Sequence, residues 1–135
     1  MDLKDRRRLL RVSPNPDRGL DYIVTLSGSV QQDASQNQPR RQIIELRYIP
    51  DKFILDSRAF AHYLNALTPV TWPTPEDLAV TVLTDLNNEI ICRWLQVALT
   101  MPSMPNTGLE HYEILIEDRQ PGWDNARLLA RLPHI

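Results

Sequence analysis

The chain has a single cysteine, three histidines and four glycines in 135 residues. One cysteine cannot close an internal disulfide, and so few histidines leave a Cys/His zinc cluster short of ligands. An excess of charge of one sign is missing too: 15 Lys and Arg stand against 17 Asp and Glu, for a formal net charge of −2. With a pI near 5.9, that balance sets up no field to gather nucleic acid or an anionic membrane. No apolar run approaches the ~20 residues needed to cross a bilayer. Residues 1–8 are charged where a secretory signal would have an apolar core. The expectation is a soluble, cytoplasmic protein with no nucleic-acid or membrane partner.

What is present is ordinary for a globular chain: 42% hydrophobic and 24% charged residues. The length fits one domain, able to bury roughly two-thirds of its unfolded surface. Residues 1–20 read as a charged N-terminal arm, with Leu9, Leu10 and Val12 apolar enough to dock, in this reading on a neighbouring subunit. Lys4, Arg6, Arg7, Arg8 and Arg11 make that arm basic, which for a terminus means a solvated charge run. Tyr22, Val24 and Leu26 alternate with Ile23 and Thr25, a half-buried strand. Ser27 to Gln42 is polar and reads as a loop. Ile44, Leu46 and Tyr48 alternate with Glu45 and Arg47, a second strand ended by Pro50-Asp51.

Two helices follow. Asp56 or Ser57 caps the first, whose Phe60, Tyr63, Leu64 and Leu67 repeat at i, i+3, i+4, i+7, and Thr68-Pro69 stops it. Thr74-Pro75-Glu76-Asp77 starts the second with a cap residue, a proline at the first helical position and two carboxylates. Its buried stripe is Leu78, Val82, Leu83, Leu86 and Ile90. Leu95, Val97 and Leu99 then mark a third strand, Met101 to Leu109 a long turn, and Tyr112, Ile114 and Ile116 a fourth strand. In residues 118–135, Asp124 is placed to cap a short helix bearing Leu128, Leu129 and Leu132, with Trp123 packing beside it. The order ββααββ, with strands and helices segregated, predicts an α+β fold with a four-stranded antiparallel sheet and two helices on one face. The edges of such a sheet have to be covered or paired.

Several short motifs lie along this frame: Pro14-Asn15-Pro16, Asp21-Tyr22, Gln38-Pro39 and Tyr48-Ile49-Pro50-Asp51. Asp56-Ser57-Arg58-Ala59-Phe60-Ala61-His62-Tyr63-Leu64, Glu76 and Asp85-Leu86 continue the series. From Met1 to about Gly122 the pattern resembles the NADPH-dependent 7-cyano-7-deazaguanine reductases of queuosine biosynthesis, the QueF type. The resemblance implies a tunnelling-fold domain over 21–117, flanked by the arm 1–20 and a tail 118–135. It also implies a homo-oligomer whose copies pair edge to edge into a barrel, with a small heterocyclic ligand held between subunits.

The same resemblance shows what is missing. Aligned without a gap, the family's catalytic cysteine falls on Asp33 and its catalytic aspartate on Arg40. Those enzymes add a thiolate to the nitrile carbon, and an aspartic acid supplies a proton. Carboxylate is a far weaker nucleophile for that step, and guanidinium releases no proton at accessible pH. Cys92 reads as a buried structural thiol. Glu76 corresponds to the glutamate that anchors the polar edge of the base, where a carboxylate accepts from a ring N–H and an exocyclic amine together. A first-turn glutamate is also ordinary helix chemistry. Asp56 and Ser57 correspond to substrate-pocket positions, and Arg58 keeps a charge on the cofactor-facing side. Ala61 stands where a lysine would meet cofactor phosphate, and no Gly-rich phosphate loop replaces it. His62, His111 and His134 lack metal-site spacing, and no G-x-S-x-G element is present.

The expected function is therefore a QueF-like tunnelling-fold pseudoenzyme without standard nitrile reductase chemistry. It would bind a deazapurine, purine or pterin-like ring or serve as an assembly partner. One alternative is an active NADPH-dependent reductase making 7-aminomethyl-7-deazaguanine, with its nucleophile from Cys92 or a partner chain. Another is a purely structural ring subunit.

Overall fold

The computed structural model describes the backbone of residues 2–34, 38–101 and 108–132, with side chains over the same ranges except 32–34 and 38–40. The chain runs α1 (Leu3–Arg8), β1 (Val12–Pro14), β2 (Val24–Ala34), β3 (Gln38–Ile49), β4 (Phe53–Leu55), α2 (Ser57–Leu67), α3 (Pro75–Ile90), β5 (Trp94–Met101), β6 (Tyr112–Arg119) and α4 (Ala126–Leu129). Strands β2-β3-β5-β6 form an antiparallel sheet in that order, and β1 pairs with β4 in a small separate ribbon. The sheet thus has two edges, β2 and β6. The ββααββ core expected from periodicity is present, with α1, β1, β4 and α4 added around it.

One face of the sheet is apolar and lies under the helices. Ile44, Leu46 and Tyr48 of β3 and Leu95, Val97 and Leu99 of β5 are buried against Phe60, Tyr63, Leu64 and Leu67 of α2 and Leu78, Val82, Leu86 and Ile90 of α3. Fully burying each such Leu or Ile contributes roughly 1.5–3 kcal/mol, so this layer is the main source of stability. The other face carries Thr25, Arg47, Gln96 and Glu117 in register across the four strands. Helix starts follow the expected chemistry: the Asp56 side chain accepts from the Arg58 N–H at the start of α2, and Thr74 accepts from the Asp77 N–H at the start of α3. Helix α3 ends on Ile91 in a left-handed conformation at φ 54°, a strained geometry for a β-branched residue.

Three expectations are corrected. Most of Ser27–Gln42 is not a loop but the two arms of a long β2–β3 hairpin, paired from Val24↔Tyr48 to Ala34↔Gln38. The apolar side of β2 reads Val24, Leu26, Gly28, Val30, and the glycine erases the period-2 signal at one position. Its place is set by packing, because a Cβ on Gly28 would lie 2.4 Å from Leu64 Cδ1. The second correction concerns the N-terminal arm, which docks on its own chain: α1 sits against α2 and α3, and Leu10 is buried in the core. In the third, Asn125 rather than Asp124 caps α4.

What holds α1 is electrostatic. Its six residues are too few for an isolated helix, and none of them is buried. Asp85 of α3, however, is fully buried. Its carboxylate accepts from Arg6 Nε at 2.6 Å and Nη2 at 3.1 Å, from Arg7 Nε at 2.9 Å and from Tyr63 Oη of α2 at 2.6 Å. Burial opposes the charge, but hydrogen bonds from Arg6, Tyr63 and Arg7 outweigh it and hold the carboxyl below its usual range.

Truncating one side of a buried charge cluster leaves the other side unpaired. Asp85→Ala is accordingly expected to cost about 3–5 kcal/mol, read from urea unfolding. The depressed carboxyl contributes stability that is fully present above the unfolded value near ~4 and lost as pH falls below it. The wild-type urea midpoint should fall over that acid interval, and Asp85→Asn should lack that component.

Candidate functional site

Most of the motif residues hold the scaffold. Asn15, 7% exposed, donates from Nδ2 to the Asp51 carbonyl at 2.8 Å and accepts from the Tyr22 hydroxyl. Arg93 donates to Asp21 at 2.8 Å and to Asp51 at 3.4 Å, and also to the carbonyls of Leu20 and Arg18. Gln120 closes the same knot on Asp51 at 3.1 Å, and Asn125 reaches Asp21 at 3.1 Å. The segment before β2, the turn after β3, the start of β5 and the C-terminal tail are tied together there. Tyr48 is likewise structural: its buried hydroxyl accepts from the Leu55 N–H at 2.9 Å, and burial pushes its pKa up. Tyr63 belongs to the Asp85 cluster; burial first, then the hydrogen bond to Asp85, pushes its phenol up as well.

The candidate ligand residues do not meet within the chain. Glu76 is exposed in the first turn of α3, and its carboxylate accepts a hydrogen bond from the hydroxyl of Tyr112, the first residue of β6. At the far end of α3, Asn87 donates to Asp118 at 2.8 Å, so the helix runs along β6 from Tyr112 towards Asp118. Asp56 follows Leu55, which is bonded to Tyr48, and Tyr48 aligns with Leu95 and so with Asp118. The six residues separating the two ends, at ~3.3 Å each, put Asp56 and Glu76 on the order of 20 Å apart. Asp56 is occupied as the cap of α2, and Ser57 and Arg58 are exposed beside it. The first-turn position of Glu76 was legible from sequence. Its partner Tyr112 was not, because it reads as one more residue of an alternating strand.

Asp33 and Arg40, where the sequence resemblance puts a catalytic pair, lie near the hairpin tip. The backbone of Asp33 aligns with Pro39 and that of Arg40 with Gln32; both side chains lie outside the described residues. Ladder β3–β5 ends at Ile43↔Thr100 and β5–β6 at Met101↔Tyr112. The hairpin therefore projects beyond the sheet at the same end as Glu76, but from the β2 edge rather than the β6 edge.

Cys92 offers no substitute nucleophile. It is buried and, chiefly by desolvation, its thiol is pushed up to about 12. Essentially none of it is thiolate at neutral pH. Among the described residues no group of His, Cys, Asp and Glu is arranged to hold a metal ion. His62 is exposed, His111 pairs with Glu113 at 3.0 Å, and His134 lies outside the described residues. A groove of about 430 Å³ lies between α1 and the C-terminal half of α3, lined in part by Arg7, Asn87, Asn88 and Asp118. None of Glu76, Asp56, Ser57 or Arg58 lines it. Among the described residues no helix is long and apolar enough to cross a membrane.

No protein-family model and no curated protein sequence matches the chain. Among solved structures it is similar to the archaeosine synthase QueF-Like in its apo form, with a TM-score of 0.59 and 16% identity over 70% of this chain and 91% of that one. A putative dihydroneopterin aldolase (FolB) from Vibrio cholerae is similar at a TM-score of 0.43 and 13% identity, over 74% of this chain and 97% of that one. Identities this low speak to the fold alone. The fold is the tunnelling fold.

The state of Cys92 is directly measurable. In the native protein it should resist iodoacetamide and disulfide-exchange reagents near neutral pH, and react fully once unfolded in urea. Rapid native labelling would mean an exposed or activated thiol.

Proposed function

We propose that this tunnelling-fold protein binds a guanine-like heteroaromatic ring, a deazapurine, purine or pterin, at the interface between copies of itself, without the thioimide chemistry of the queuosine nitrile reductases. The observation that carries the reading is Glu76: an exposed carboxylate at a helix start, where free N–H groups and the helix dipole favour its charge. Such a group is an acceptor-only edge, matched to the adjacent N–H and NH₂ donors of a guanine-type ring. The queuosine-type motifs favour that ligand class, and the buried thiol of Cys92 argues against covalent capture.

Strand directions favour an interfacial site. They alternate across the sheet, so β6 of one copy can pair with β2 of the next in the same antiparallel sense. That pairing would satisfy two open edges at once. It would also bring the neighbour's hairpin tip, with the backbone of Asp33 and Arg40, to the end of β6 where Glu76 lies. Among the described residues Asp56 lies on the order of 20 Å from Glu76, so a second copy is the natural source of the missing wall.

Three measurements bear on this. Light scattering at micromolar concentration should give a discrete oligomer; a clean monomer would remove the interfacial site. Incubation with 7-cyano-7-deazaguanine and NADPH should show no substrate-dependent NADPH oxidation; turnover would favour the reductase reading instead. In calorimetric titration with deazapurines, purines and pterins, Glu76→Gln presents a donor where an acceptor is needed. Affinity should fall roughly 30- to 1,000-fold, and equal affinities would remove Glu76 from the site.

A further inference from the structure

We infer that Tyr112 is a positioning residue for the Glu76 carboxylate and thereby sets how tightly the polar edge of a bound ring is held. The inference rests on the reading of Glu76 as the ring anchor. The Tyr112 ring is partly buried against the hydrophobic core beside Ile114 and Ile116, and its backbone aligns with Met101 at the end of the β5–β6 ladder. Its hydroxyl reaches the exposed Glu76 and donates to it.

Glu76 has a fixed backbone and an unfixed side chain. Thr74 caps the helix and Pro75 occupies its first position, which leaves three side-chain torsions to be frozen when a ligand arrives. Freezing a rotamer-rich side chain is a direct cost to binding. A phenol anchored in the core removes that freedom beforehand. It takes only one of about four lone-pair sites on the carboxylate, so the remainder still suit an adjacent ring N–H and amine. The neighbouring groups are otherwise engaged: Asp77 bonds to Thr74 at 2.8 Å, and His111 pairs with Glu113 at 3.0 Å. The hydrogen bond to Glu76, then slight desolvation and the carboxylate charge, raise the phenol's pKa, so it remains a donor at neutral pH. Neither partner is deeply buried, so deleting the hydroxyl strands no desolvated group and the fold does not depend on the contact.

The test titrates 7-cyano-7-deazaguanine, guanine and neopterin into wild type, Tyr112→Phe, Glu76→Gln and the double variant, all as the full chain. Tyr112→Phe should lower affinity for whichever probe binds by about 5- to 30-fold, with an unchanged unfolding midpoint. The double variant should be no weaker than Glu76→Gln alone, the non-additivity of residues acting as one unit. Carbon-13 NMR of the tyrosine rings should show the Tyr112 phenol titrating at lower pH in Glu76→Gln.

Wild-type affinity in Tyr112→Phe, with a loss in Glu76→Gln, overturns the role of Tyr112 and leaves the anchor standing. Wild-type affinity in Glu76→Gln, or no binding of any probe by wild type, overturns the anchor and Tyr112 with it. Additive losses would mean that Tyr112 touches the ring itself. A Tyr112 phenol that titrates identically in Glu76→Gln would mean that the two are not coupled; either result overturns the positioning role.

Discussion

One buried carboxylate organises the helical side of this protein. Asp85 draws its donors from two other elements, Arg6 and Arg7 of α1 and Tyr63 of α2, while sitting on α3. A charge removed from water is tolerable only where hydrogen bonds replace its hydration, and here Arg6 supplies a two-pronged contact with two further donors beside it. The cluster fixes α3 against α2, and it gives a six-residue helix with no buried residue a reason to stay folded. It also fixes the axis of α3. The same helix is bound to β6 near its two ends, through Asn87 to Asp118 and through Glu76 to Tyr112. The position of the candidate anchor is thus set by a rigid element rather than by a loop.

The motif residues divide cleanly by what they touch. Asn15, Asp21, Tyr22, Tyr48, Asp51, Tyr63 and Asp85 all spend their polar atoms on other parts of the same chain. These contacts support the fold itself. Asp33 and Arg40, where the sequence resemblance puts a catalytic pair, have their backbone near the tip of a hairpin that projects past the sheet. The Asp85 cluster and the Arg93 knot are built from other residues.

The sequence reading succeeded where one physical rule dominated. Helix α3 was legible because Thr74, Pro75, Glu76 and an apolar stripe all point to the same start and face. The central strands β3 and β5 were legible because Ile44, Leu46 and Tyr48, and Leu95, Val97 and Leu99, alternate without interruption. It failed where a tertiary contact overrode the local pattern. Gly28 broke the alternation of β2 because Leu64 needs the space, and a paired hairpin was mistaken for a loop. Arg6 and Arg7 looked like solvated terminal charge because their partner lies about 80 positions away. The clue was Asp85 itself, a carboxylate set inside the run of Val82, Leu83, Leu86 and Ile90. For the site, Glu76 stands out through the motif resemblance, while its helix-start position alone reads as ordinary helix chemistry. Tyr112 does not stand out, since nothing in a strand's alternation tells which hydroxyl meets which carboxylate.

The chemistry left to such a site follows from its groups. Glu76 is a hydrogen-bond acceptor and Tyr112 donates to it, so the pair offers an oriented carboxylate edge. Activating a nitrile or a carbonyl requires a nucleophile or an acid at the reacting atom. The single thiol in the sequence is in the interior, where desolvation keeps it protonated. Recognition of a polar ring edge and covalent reduction are separable demands: the first needs an oriented carboxylate, the second an ionisable sulfur beside the substrate. The buried thiol of Cys92 does not meet the second.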